Sequence, residues 1–328
     1  MRNWRRSLRP ILPALLLSGF GLGAFQTWLN HVAFQPGSLP AARDVVVPRG
    51  SNWEVAHSLR QEGVIDSAWE FWLLGRRSHE EGPLHAGEFA FPPHATPTDV
   101  LHVLRAGKRV EHKLTLREGL TARQIVPILV QAEAAVGDLP KIAEGQLLPQ
   151  TYLYPRDTTR EHLVEEASAA MRQVLDREWK KRQADLPLAS EREALILASI
   201  VERETAIPDE RPHITAVFLN RLRAGMKLQS DPTVIYGLSN GLGTLDRKLT
   251  HADLSDPSAY NTYAIAGLPP GPICSPGLAS IEAVLHPAAS DDLYFVADGT
   301  GRHAFARTLD DHNRNVARLR SVTPVPPG

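Results

Sequence analysis

Cysteine is almost missing from this 328-residue chain, in which Cys274 stands alone. One thiol cannot build a disulfide framework or a multi-thiolate metal site. It suits a reduced protein, or an exported one that avoids mispairing. An excess of charge of either sign is missing too, with 36 Lys and Arg against 37 Asp and Glu. That balance indicates neither a nucleic-acid-binding surface nor an acidic tail, so no nucleic-acid partner is expected. Histidine is plentiful at 13, yet no His-x-x-x-His spacing occurs. That argues against zinc hydrolysis, and no metal is expected. The length allows two or three domains with ample core.

What the chain does have is an almost wholly apolar helical stretch that ends in two carboxylates. Ser190 followed three residues later by Glu193 predicts a capping-box start. Pro208 biases Ile207 out of the helical region, so the helix is expected to stop by about Ala206. Between those signals Ala194, Leu195, Ile196, Leu197, Ala198, Ile200 and Val201 surround the axis, which marks a buried helix. At about 100° per residue, Glu202 and Glu204 lie roughly 200° apart and point in nearly opposite directions. They are therefore not expected to share one substrate. Both fall in the last turn, where the negative end of the helix dipole and poor solvation push a carboxyl pKa upward. A raised pKa is what a general acid needs near neutrality. The same residues also suit a structural network in which both glutamates pair with Arg203, Arg211 or other cations.

Arg2, Arg5, Arg6 and Arg9 precede an apolar run from Ile11 to about Leu29. The pattern predicts a basic cytoplasmic tail over residues 1–9 and an uncleaved transmembrane anchor over 10–29, because a clean small-x-small site is missing after Phe25. The remaining chain is then delivered outside the cytoplasm, with 30–43 as a linker.

A module over 44–143 opens with the strand Val45–Val47. It continues through helices carrying Trp53, Ala56 and Leu59, then Trp69, Trp72 and Leu73, and returns as a strand over 87–91. This βααβ order resembles the LysM fold used for glycan binding. The tryptophans suit a sugar platform, but their helical spacing favours a core position. A helix over 98–106 links to a strand over 113–116 and a helix with Ile125, Ile128 and Leu129, a degenerate echo of the first pattern.

A larger mixed domain over 144–328 follows, so the expected class is α+β. It contains a charged helix over 160–183, a helix with Ile214, Val217, Phe218 and Leu222 capped by Asp209, a hairpin around His303 and Phe305, and a last helix carrying His312 and Asn313. The stretches 228–236 and 260–263 are expected as rigid loops rich in amide, hydroxyl and phenol groups. Such loops suit hydrogen bonding and stacking against sugars. Ordinary Asx and proline turn chemistry also produces them.

The segments Ala-Ser-Ile-Val-Glu-Arg-Glu-Thr (198–205), Leu-Gln-Ser-Asp-Pro-Thr-Val-Ile-Tyr-Gly (228–237), Tyr-Asn-Thr-Tyr (260–263), Gly-Leu-Pro-Pro-Gly-Pro-Ile (267–273) and Leu-Tyr-Phe-Val-Ala-Asp-Gly (293–299) occur in that order. Together they resemble the YceG-like membrane-anchored endolytic lytic transglycosylases of peptidoglycan. The resemblance implies a LysM-like subdomain joined to a catalytic domain and no cofactor. It also implies cleavage of the MurNAc–GlcNAc bond inside nascent strands, with 1,6-anhydro-MurNAc ends. By that resemblance Glu204 is the catalytic glutamate, serving as general acid and then as base, with Glu202 the second choice, and Gln229, Asp231, Thr233, Tyr236, Asn261 and Tyr263 are substrate contacts. Gln150 and Ala304 depart from the family pattern and receive no role.

The implied partners are peptidoglycan glycan strands and penicillin-binding cell-wall synthases. The implied location is the inner membrane, single-pass, with the N-terminus in the cytoplasm and the catalytic domain in the periplasm. Two other classes stay open on sequence grounds. One is a non-enzymatic, membrane-tethered peptidoglycan-binding scaffold. The other is a pyridoxal-phosphate lyase acting on aminodeoxychorismate, which needs a Schiff-base lysine in a cytoplasmic protein; the region after Glu144 has few lysines.

Overall fold

The computed structural model describes residues 11–322. The expected basic tail over 1–9 lies outside the described residues. Among those residues the architecture is mixed α+β, with small two-stranded sheets set between helices. The chain divides into two compact units at the His112–Lys113 bond, ahead of the boundary expected at residue 144.

The first unit begins with α1 (Ile11–Ala33). The expected anchor over 10–29 falls largely on side chains outside the description, and no described helix is long and apolar enough to cross a membrane. Leu29, Val32, Ala33 and Leu39 are buried in this unit's core, so part of the stretch expected as a linker is packed. Then come β1 (Arg43–Val47), α2 (Asn52–Gln61), α3 (Ala68–Arg77), β2 (Gly87–Phe91) and α4 (Pro97–Ala106). β1 pairs antiparallel with β2, Val45 lying opposite Phe89. Strand alternation sends Val45 and Val47 into the core and Val46 outward. Capping boxes at Ser51–Glu54 and Thr96–Asp99 start α2 and α4.

The expectation that the tryptophans are core is corrected for Trp53 and Trp69, which are 43% and 52% exposed. α3 turns Ala68, Phe71 and Leu74 inward, and Trp69 sits about 100° off that stripe. Trp69 stacks on the half-buried Trp72 at 5.3 Å, and Trp53 meets Trp72 edge-on at 6.1 Å.

In the second unit, β3 (Glu111–Thr115) pairs with β4 (Thr151–Pro155), with α5 (Ala122–Val130) between them in sequence. Leu116, Ile125, Tyr152 and Tyr154 form one core with Leu163 of α6 (Arg160–Lys181). A second core surrounds α7 (Glu191–Glu204), which packs against α6, α8 (Arg211–Arg223), α9 (Asp231–Leu238) and α11 (Leu278–Leu285). Ser190 caps α7 by accepting from Glu193 N, but the Glu193 carboxylate turns to Ala189 N at 2.6 Å, so only half of a capping box forms. A short α10 (His251–Leu254) precedes α11. The antiparallel hairpin β5 (Tyr294–Ala297) and β6 (His303–Ala306) leads into α12 (Leu309–Val322).

Two local expectations are corrected. Residues 231–238 are helical, not loop, because Asp231 and Pro232 supply a first-turn acid and a first-turn proline, Ser230 holding the N-cap position without a side-chain cap bond. Asp209 does not cap α8; a 3-10 turn, Pro208–Glu210, feeds directly into it without a side-chain cap.

Candidate active site

The last turn of α7 sends its two carboxylates to different surroundings. Glu202 Oε1 accepts from Arg211 Nη2 at 3.2 Å, and its Oε2 accepts from Gly277 N at 3.0 Å and Ser280 Oγ at 2.8 Å. Gly277 is the N-cap of α11, so this carboxylate meets the positive end of a helix as well as a guanidinium. The side chain is only 5% exposed. Glu202 thus sits in a closed structural network.

Glu204 lines a cavity of about 470 Å³. Its Oε2 accepts from Ser230 Oγ at 2.9 Å. Burial pushes the carboxyl up to about 7, helped by the nearby Asp231; the Ser230 hydrogen bond, His303 and Arg221 pull the other way. An acid of that strength is partly protonated at neutral pH, as proton donation to a leaving oxygen requires.

The walls of the cavity come from α8, the turn into α9, and the hairpin. Asp231 Oδ1 accepts from Tyr263 Oη at 2.7 Å. Gln229 holds a left-handed backbone, φ +55°, and its Oε1 accepts from Arg221 Nη1 at 3.2 Å. Arg221 is buried, donating to the carbonyls of Leu293 at 2.7 Å and Leu228 at 2.9 Å. On the hairpin side, His303 Nδ1 lies 2.7 Å from Glu210 Oε2, and the His303 backbone N–H donates to Glu210 Oε1 at 3.1 Å. Burial tends to raise the Glu210 carboxyl pKa, but the bonds and charge of His303 together with Arg302 outweigh it and hold the pKa below the usual value. His303 Nε2 has no hydrogen-bond partner among the described residues. Among those residues no cluster of His, Cys, Asp or Glu suits a metal ion.

Of the six expected contacts, Gln229, Asp231 and Tyr263 line the Glu204 cavity. Thr233 and Asn261 are fully buried. Thr233 Oγ1 donates to Ser230 O at 2.7 Å, while Asn261 Nδ2 donates to Asp256 O at 2.7 Å and Leu254 O at 3.1 Å, so both shape the wall from behind. Tyr236 lies outside the cavity lining and donates to Glu144 Oε2 at 3.0 Å.

Sequence reasoning passed over Ser230, Arg221, His303 and Glu210. Arg221 carried a signal: it continues the apolar face of Val217 and Phe218 at i+4 and i+3, where an arginine must be buried and paired. His303 and Glu210 carried none, standing 93 residues apart in sequence.

The YceG-like family model matches residues 45–318. The chain is 31% identical to the endolytic murein transglycosylase of Streptococcus pneumoniae serotype 2 (strain D39 / NCTC 7466), over 92% of this chain and 63% of that protein. It is 37% identical to the endolytic murein transglycosylase of Bacillus subtilis (strain 168), over 52% of this chain and 46% of that protein. It therefore spans less than two thirds of the length of these relatives. The crystal structure of a yceG-like protein from Listeria monocytogenes shares 30% identity and a TM-score of 0.51, covering 84% of this chain and 99% of that one. With the family model running from β1 into α12, the chain belongs to the YceG-like family.

Proposed function

We propose that this protein is an endolytic lytic transglycosylase that cuts the MurNAc–GlcNAc bond inside nascent peptidoglycan strands. The observation that carries the reading is Glu204: a carboxyl that burial pushes up to about 7, facing an open cavity, on the residue that matches the family's catalytic glutamate. Protonated Glu204 donates to the glycosidic oxygen between the two sugars, and its carboxylate then takes the proton of the muramyl C6 hydroxyl as that oxygen attacks C1. The product is a 1,6-anhydromuramyl end. Because the nucleophile belongs to the substrate, no second carboxylate flanks the bond, unlike ordinary glycosidases. The engagement of Glu202 by Arg211, Gly277 and Ser280 agrees with that.

Gln229, Asp231 and Tyr263 then meet the sugars, while Thr233, Asn261 and Tyr236 support the loops that carry them. The basic tail and apolar run favour a single-pass anchor with the N-terminus in the cytoplasm, the catalytic part outside it, and cell-wall synthases as neighbours. The βααβ order of β1, α2, α3 and β2 favours a LysM-like role for the first unit.

The test is digestion of glycan strands with wild type and Glu204→Gln, reading product ends by mass spectrometry. The wild type releases anhydromuropeptides from internal cuts, and Glu204→Gln loses roughly 10²- to 10⁴-fold of that rate. Release at the unmutated rate rejects the assignment. A non-enzymatic peptidoglycan-binding scaffold is the second reading, favoured by the exposed Trp53 and Trp69. Sacculus pull-down without product formation would select it.

A further inference from the structure

His312 reaches the Glu204 cavity from α12, which packs across both strands of the hairpin. Its ring stacks on Tyr294 at 5.3 Å, and the Arg221 guanidinium lies 5.2 Å from the centre of that same tyrosine ring. The stack fixes the plane of the imidazole, and its two nitrogens meet different surroundings. Nδ1 is enclosed without any hydrogen-bond partner. Nε2 has no partner among the described residues either, but it is not enclosed. Burial holds the imidazole below the usual histidine pKa and the charge of Arg221 adds to that, so the ring is neutral near pH 7 and carries one proton. An enclosed N–H without an acceptor is rarer and costlier than an enclosed lone pair. The proton therefore belongs on Nε2, and His312 presents an uncharged donor to the cavity.

A glycan offers two kinds of neutral acceptor. Its hydroxyls donate as well as accept, and the cavity meets them with Glu204 Oε1 and Asp231 Oδ2, carboxylate oxygens that take no hydrogen bond from the described residues. The amide carbonyl of an acetamido group accepts only, and accepts more strongly than a hydroxyl. We propose that His312 reads the N-acetyl groups of the strand, its Nε2–H donating to the acetamido carbonyl oxygen of a sugar bound beside Glu204. The inference rests on the transglycosylase reading and adds a specificity determinant to it; both proton transfers stay with Glu204. A site built around such a donor rejects a sugar that lacks the acceptor.

The experiment uses the full chain and isolated glycan strands in two forms, fully N-acetylated and chemically N-deacetylated. His312→Phe keeps a ring on Tyr294 but has no N–H, whereas His312→Gln keeps an amide N–H near the place of Nε2. On acetylated strands His312→Phe is expected to raise KM roughly 5- to 50-fold with kcat little changed, because the lost bond is made equally in ground and transition states. His312→Gln recovers most of that loss. On N-deacetylated strands wild type and His312→Phe share one KM. Equilibrium binding by the Glu204→Gln chain, with and without His312→Phe, gives the same comparison where cutting is too slow to yield KM. A penalty that persists on N-deacetylated strands overturns the inference, as does a fall in kcat with KM unchanged, or a His312→Gln chain no better than His312→Phe. Should His312→Phe fail to fold, the nitrogen chemical shifts of the His312 ring in the wild type decide, since a proton resting on Nδ1 at neutral pH overturns the inference without any variant. A wild-type chain that makes no anhydro ends from acetylated strands sinks the transglycosylase reading instead.

Discussion

Ser230 Oγ donates to Glu204 Oε2 across 2.9 Å, and this bond favours the ionised carboxylate against the burial that disfavours it. Removing it in Ser230→Ala leaves the desolvation in place and raises the Glu204 pKa further. The alkaline limb of kcat/KM is expected to move to higher pH by up to about one unit, since a hydrogen bond to a charged group is worth about 1.5 kcal/mol. A pH–rate profile checks it; a limb that stays put or moves down contradicts the role given to Ser230.

Glu204 also couples stability to pH. Its pKa is raised on folding from 4.5 to about 7, so between those values the folded state binds more protons than the unfolded one. Stability therefore falls as pH rises through that window and is not regained above it. The shift corresponds to roughly 3 kcal/mol by pH 8. Glu204→Gln escapes this cost, so urea unfolding at pH 8 is expected to show it more stable than wild type, with the gain vanishing near pH 4.

Glu202 behaves in the opposite way. Glu202→Ala strands Arg211, Gly277 N and Ser280 in a buried network, and Arg211 Nε already lacks a partner. Breaking a buried pair by removing one member costs about 3 to 5 kcal/mol. Equilibrium denaturation at pH 7 is expected to show a large loss for Glu202→Ala and none for Glu204→Gln.

Gly145 follows Glu144 with φ +72°, and a Cβ there would sit 2.8 Å from both Cβ and Cγ of Pro272. Neither the left-handed backbone nor the rigid ring yields easily. Gly145→Ala is expected to cost about 2 to 4 kcal/mol, read as a lowered melting temperature.

The α+β class and the course of α7 were legible because their signals are local. Ser190, the apolar run and Pro208 lie within one helix length, and helical geometry alone separates Glu202 from Glu204. The start of α9 is equally local, for Asp231 and Pro232 mark a first helical turn, but the amide, hydroxyl and phenol groups of 228–236 give the stretch the composition of a loop. Other features were out of reach. Periodicity says that Trp69 and Trp72 share a flank of α3, but which flank faces inward depends on the helices packed against it. The Glu210–His303 pair depends on the hairpin folding back onto the turn before α8, a long-range event without a local mark.

The clasp at Glu210 gives the hairpin an observable of its own. The His303 amide is tied to a buried carboxylate at the start of β6, so its hydrogen–deuterium exchange reports how often that side of the cleft lets go. Nuclear magnetic resonance of that one amide would time the opening without any substrate present.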